Sequence, residues 1–195
     1  ARGIGNVIHV HTEHSEVDLF QRRYFAERWL SRFTSYVVAV SRHVHDVMIH
    51  DIGISPRRVR LIYNGVNTTR FAPNANARDA SRRGLGLSPN QVVIGVVARL
   101  AVIKNHEALL RAYASLSQEP GNRACLIIVG DGPERAALEQ VAYGLGVTSG
   151  VTFLGERHDV PELLNAFDIY ALTSFNEGMN LTLLEAMSAG LPVVA

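Results

Sequence analysis

Lysine is almost missing from this 195-residue chain: eighteen of its nineteen basic residues are arginine, and Lys104 is the exception. Two readings stay open for Lys104, a site that wants a compact ammonium rather than a planar fork, or chance. Cysteine is nearly as scarce. Cys125 is alone and sits inside the apolar run Cys125–Val129, so a disulfide framework is excluded and a buried thiol in a reducing compartment is expected. No apolar run approaches the ~20 residues of a membrane span. No start methionine or signal peptide is visible. The chain has no G-x-G-x-x-G fingerprint, which removes the main support for hydride transfer. It has no G-x-S-x-G elbow for a serine hydrolase. It has no Asp-x-Asp pair for a nucleotide-bridging metal, and no Cys or paired carboxylates to complete a metal site around its histidines. A basic stripe with interleaved aromatics is also missing, so nucleic acid is not an expected partner.

What is present is a globular composition, 47% hydrophobic with a net charge of +1. The charge is uneven. Residues 1–73 carry ten Arg against six acids, and residues 74–195 carry nine basic residues against twelve acids. A solvated basic surface is the first reading of that excess, and an anionic membrane or acidic acceptor the second. Strands are expected at Asn6–His11, Tyr36–Val40 and Arg58–Ile62. An arginine-flanked helix over Asp18–Phe33 and a Ser41-capped helix to about His50 lie between them. Asn64-Gly65 reads as a tight turn. Residues 74–91 are polar and read as a linker with a short helix around Arg78–Arg83. From Gln91 the rhythm is regular. Apolar runs at Val92–Val97, Leu126–Val129, Val151–Leu154, Ile169–Leu172 and Val193 onward alternate with helices at Asn105–Ser117, Pro133–Leu145, Val160–Ala166 and Leu181–Ala189. That alternation predicts an α/β fold, a Rossmann-like parallel sheet with helices on both faces. Three regions follow: 1–73, the linker 74–91, and 92–195.

The stretch Ser174–Ala195 concentrates the chemistry. It reads as strand end, loop, helix, turn and strand. Asn180 is an N-cap candidate, and Gly190 with Pro192 ends the helix. Free N–H groups at the start of such a helix suit an anion, and Gly178 lets a ligand approach the backbone. Glu177 in the loop and Glu185 just over one turn into the helix can accept from sugar hydroxyls. On spacing alone, two solvated acids on a βα unit remain an equal reading. Arg99 and Lys104 stand five apart after the Val92–Val97 strand, where an Arg fork and an ammonium suit a diphosphate. Ligands gather outside the carboxyl ends of strands in open α/β sheets.

Glu177, seven residues, then Glu185, set in E-G-x-x-x-x-L-L-E-A-M-x-A-G-x-P-V-V-A, resembles the Glu-x7-Glu motif of retaining glycosyltransferases of family 4, with the GT-B fold. Ala98-Arg99-Leu100 with Lys104 resembles the family's G-R-L-x-x-x-K segment, Ala98 replacing glycine. Gly130-Asp131-Gly132-Pro133 resembles G-D-G-P, and Ile62–Asn67 resembles the family's I-x-N-G-V-N/D end of the N-terminal domain. Asn180 stands where many members carry proline. The resemblance implies the tail of an acceptor-side domain at 1–73 and most of a nucleotide-sugar-binding domain at 92–195, with further sequence expected on both sides.

The resemblance also implies roles. Arg99, Lys104 and the backbone of Met179, Asn180 and Leu181 would hold the donor diphosphate, Glu185 the ribose and Glu177 the transferred sugar. Gly130, Gly155, Glu156, Arg157 and Gly178 would line the donor cleft. One early histidine would face the donor sugar, His14 before His11, and a hydrogen-bonded loop histidine is the alternative for either. The implied activity is hexosyl transfer from a nucleoside diphosphate sugar to a hydroxyl acceptor, a glycan or lipid-linked sugar. It would proceed with retention and without metal or cofactor, in polysaccharide or glycolipid synthesis. The implied place is the cytoplasm, with peripheral membrane association open. A sugar-nucleotide epimerase of the same fold and a nucleotide-binding fragment without turnover remain alternatives.

Overall fold

The computed structural model describes residues 10–13, 29, 35–175, 177 and 179–195. The chain divides into two compact units, Ala1–Gly65 with Asn176–Asn180, and Val66–Phe175 with Leu181–Ala195.

In the first unit, β1 (Val10–Glu13), β2 (Tyr36–Ala39) and β3 (Val59–Leu61) form a parallel sheet in the order β1-β2-β3. The sequence expects Thr12 and Glu13 in a loop. They lie in β1 because pairing continues to Glu13↔Ala39. Helix α1 (Arg42–His50) starts as expected, with Ser41 Oγ accepting from Val44 N–H at 3.1 Å. Val44 and Met48 of α1 bury against Val37, Ala39 and Val59 of the sheet. The helix expected over Asp18–Phe33 lies outside the described residues except for Trp29, which is helical.

In the second unit, α2 (Ala75–Gly84) precedes an alternating series: β4 (Val92–Val97), α3 (His106–Ser117), β5 (Ala124–Val129), α4 (Arg135–Gly144), β6 (Val151–Gly155), α5 (Val160–Ala166), β7 (Ile169–Ala171), α6 (Leu181–Ser188) and β8 (Val193–Val194). The five strands are parallel in the order β6-β5-β4-β7-β8. Side chains alternate between the sheet's faces. Val93, Val97, Cys125 and Ile127 pack with Leu163 and Leu164 of α5 and Ala186 of α6. Val96, Leu126 and Ile128 pack with Leu109, Leu110 and Tyr113 of α3 and Leu138 of α4. Each such aliphatic side chain stabilises the fold by about 1.5–3 kcal/mol on burial. Cys125 is a free, buried thiol, and burial pushes its pKa up.

Several boundaries differ from the sequence reading, each for a local reason. Residues 62–67 run without a turn at Asn64-Gly65. The turn comes at Asn67–Phe71, where Asn67 Oδ1 accepts from the Thr69 and Arg70 N–H groups. Asn105 is outside α3 and adopts a left-handed φ of 50°, because a 3-10 turn at Val102–Lys104 comes first. Pro133 precedes α4, which begins at Arg135 after Glu134 N–H has bonded back to Leu100 O. Gly190 ends α6 with φ of 78° and donates to Met187 O, as expected of a C-terminal glycine.

Among the described residues, no helix is long and apolar enough to cross a membrane.

Candidate functional site

The order β6-β5-β4-β7-β8 reverses direction at β4. The chain steps from β4 through β5 to β6 on one side, then returns from β6 across the sheet to β7 on the other side of β4 and goes on to β8. Such a reversal opens a crevice outside the carboxyl ends of the strands. The second unit brings the loops after β4, β5, β6 and β7 to that edge. These loops carry Arg99 and Lys104, Gly130, Glu156 and Arg157 just past Gly155 at the end of β6, and Thr173 to Phe175. Leu181 opens α6 at the same edge.

Close backbone approaches hold these loops. Ala98 N–H donates to Val129 O and Leu100 N–H to Asp131 O, each at 3.0 Å, so the chain after β4 lies along the chain after β5. Gly130 N–H donates to Gly155 O at 2.8 Å, tying in the end of β6. Gly130 has φ of 128°, and Gly132 also lies against backbone, its missing Cβ 2.3 Å from Leu100 O.

Arg99 is exposed and Lys104 half-buried. Their side chains are carried by an anchored loop. His106, only 2% exposed, contacts Arg99 O through Nε2 at 3.3 Å. Burial holds the His106 pKa below the usual histidine value, the Arg99 carbonyl opposes that, and the Lys104 charge adds to it. The ring is therefore neutral at pH 7, with Nε2 as the donor to Arg99 O. Thr173 Oγ1 donates to Lys104 O at 3.2 Å and to Asn105 O at 3.0 Å. His106 and Thr173 were not singled out from the sequence. His106 reads there as a helix residue, and only its place two residues after Lys104 hints at a supporting role.

Glu185 is half-buried on α6. Burial raises its pKa and the nearby Arg70 charge opposes the rise. Arg157 is engaged by Asp159, with Nε and Nη2 donating at 2.8 and 2.6 Å, so its exposed guanidinium is turned to its own loop. Glu156 is exposed.

The first unit holds the remaining loop. Asn180 Nδ2 donates to Glu177 Oε1 at 3.0 Å, and Asn64 Nδ2 donates to Met179 O at 3.4 Å. The amide at Asn180 thus orients Glu177, a bond proline could not make. Asn64 is a contact that sequence order, more than a hundred residues away, gave no reason to expect. His11 lies in β1, paired with Val37. His14 and Gly178 lie outside the described residues. Among those residues, no three His, Cys, Asp or Glu side chains converge as metal ligands.

Residues 91–195 match the family model described as Glycosyl transferases group 1, and residues 1–70 match Glycosyltransferase Family 4. The chain is 38% identical over 137 residues to the putative glycosyltransferase EpsF of Bacillus subtilis, covering 70% of this chain and 35% of that one. It is 31% identical over 182 residues to a D-inositol 3-phosphate glycosyltransferase of Rhodococcus opacus, covering 89% of this chain and 40% of the relative. The chain therefore spans less than half the length of these two relatives. Crystal structures of Anabaena HepE align over 95% of this chain and 52% of HepE. The complex with UDP gives a TM-score of 0.84 at 31% identity, and the complex with UDP-glucose gives 0.81 at 30%.

Proposed function

From its family, the group 1 glycosyl transferases of glycosyltransferase family 4, to which this chain belongs, we propose that it binds a uridine diphosphate sugar and serves sugar transfer to a hydroxyl acceptor. Its fold is that of the GT-B glycosyltransferases. The observation that supports the donor role is that the loop carrying Arg99 and Lys104 follows β4, and the first turn of α6 is bonded to the end of β4 through Thr182 Oγ1 and Val97 O, at the sheet's reversal point. UDP and UDP-glucose in the HepE structures support uridine as the base.

In this reading Arg99 takes the diphosphate as a fork and Lys104 as a point charge, while the N–H groups at Leu181 and its neighbours face the phosphate oxygens. Glu185 accepts from the ribose hydroxyls. By resemblance, Glu177 accepts from the transferred sugar. The bond from the anomeric carbon to the β-phosphate oxygen breaks, and its electron pair leaves with the diphosphate. The acceptor oxygen forms the new bond and its proton passes to the departing phosphate. Fixed cations meet the developing charge, which is where electrostatic catalysis acts. Retention, independence of metal and a place in glycan or glycolipid synthesis belong to this proposal. So do a cytoplasmic location and peripheral attachment to a membrane.

Calorimetric titration with UDP, GDP and ADP, with and without magnesium, tests it. UDP binding of equal strength in both conditions is expected. A folded sample that binds none of the three overturns the donor reading, and binding that needs magnesium overturns the cation assignment.

A further inference from the structure

Pairing between β4 and β7 stops at Gly95↔Tyr170, while β4 continues beside β5 to Val97. The strands part there, and two hydroxyls close the gap. Thr182 Oγ1 donates to Val97 O at 2.9 Å. Tyr170 Oη lies 3.2 Å from the same carbonyl oxygen and 2.7 Å from Thr182 Oγ1. A single carbonyl thus joins β4, β7 and the second residue of α6. Tyr170 is fully buried and Thr182 half-buried, so the Tyr170 side of the cluster is shielded from competing water.

We propose that Thr182 is a positioning residue for the donor diphosphate. Its hydroxyl fixes the first turn of α6 to the end of β4, and so sets the helix's leading N–H groups against the cations two and seven residues beyond Val97. The proposal rests on the donor reading above. Thr182 spends its hydroxyl inside the fold, on Val97 and Tyr170, so its effect on a ligand runs through backbone placement.

Valine has nearly the shape of threonine and cannot donate. Serine keeps the hydroxyl. Titrations of the parent, T182V and T182S with UDP and with inorganic pyrophosphate separate the outcomes. In T182V, UDP and pyrophosphate affinities should fall by the same factor, about tenfold, as expected for losing one well-placed bond. T182S should stay within about twofold of the parent. The Tyr170→Phe variant, which leaves Thr182 on Val97, should lose less than T182V. Unchanged affinities in T182V overturn the proposal. So does a loss for UDP that far exceeds the loss for pyrophosphate, since that reports a loosened cleft rather than a displaced phosphate site. A parent that binds no UDP instead overturns the donor reading itself.

Discussion

A Cβ on Gly130 would stand 2.0 Å from the carbonyl oxygen of Ala98. The strand-end loops after β4 and β5 cross there with no space between them, and the φ of 128° at Gly130 is one that side chains rarely adopt. The obstacle is backbone, fixed by the Ala98 N–H bond to Val129 O, so it cannot swing aside. Gly130→Ala should therefore cost at least about 2 kcal/mol of stability. It should weaken UDP binding as well, because Arg99 follows Ala98 directly. Urea denaturation and UDP titration of the variant measure both. A variant that unfolds at the parent's midpoint would show that the crossing yields.

Asp168 anchors α2 to the sheet. Its carboxylate accepts from Val93 N–H at 2.7 Å, from Arg82 Nη1 at 3.1 Å, and from Arg78. Burial alone would raise its pKa, but the Val93 N–H and the two guanidinium groups outweigh it and hold the carboxyl below the ordinary 3.8. A carboxyl depressed in the folded state adds stability that is complete above its unfolded value and disappears as pH falls through the folded one. Asp168→Asn should cost about 1.5–3 kcal/mol at pH 7, the range for hydrogen bonds to charged groups. The gap between parent and variant should narrow as pH falls below 3.8. Urea midpoints at pH 7 and pH 3 measure this, and a gap of constant size would assign the cost to shape rather than charge.

The strands and helices after Gln91 are legible in the sequence because local apolar runs and caps determine them. The Ser41 cap and the Gly190 terminus follow from the same local chemistry. The role of residues 74–91 is not legible. Their polar composition predicts a linker with a short helix around Arg78–Arg83, and the helix is there as α2, yet Arg82 is 7% exposed and donates to the carbonyls of Ser88, Gln91 and the sequence-distant Ala166. The same limit applies at the site. Spacing identifies Arg99, Lys104 and Glu185 as chemical candidates. His106 holds the Arg99 carbonyl, Thr173 that of Lys104 and Thr182 that of Val97, and a carbonyl leaves no mark in the residue pattern. Gly130 enters the sequence reading by resemblance, as a residue that would line the cleft, while its contact with the Ala98 carbonyl needs the crossing loops to be seen.

Arg99→Ala and Lys104→Ala should each weaken UDP binding by about 1.5–3 kcal/mol if both contacts are charge-assisted. The two share one ligand and one loop, so the double variant should lose less than the sum of the singles. Neither side chain is in the core, and thermal midpoints should stay near the parent's. Calorimetry on the three variants checks this. Full UDP affinity in both single variants would remove the diphosphate from this edge of the sheet.

Glu185 should behave in the opposite sense to Asp168. Burial raises its pKa above the ordinary 4.5, and the Arg70 charge only partly offsets this. A group with a raised folded pKa contributes stability that is complete below its unfolded value and lost as pH rises through the folded one. At pH 7 the free protein therefore carries a carboxylate it would hold more easily as an acid. Glu185→Gln should be more stable than the parent at pH 7, and the difference should vanish below 4.5, where both side chains are neutral. The same change should weaken UDP about tenfold by removing a charged acceptor, and leave pyrophosphate binding unchanged. Thermal melts across this pH range, paired with the two titrations, separate the effects. A less stable variant at pH 7 would mean that attraction to Arg70 exceeds the burial cost. Equal losses for UDP and pyrophosphate would place Glu185 at the phosphates rather than the ribose.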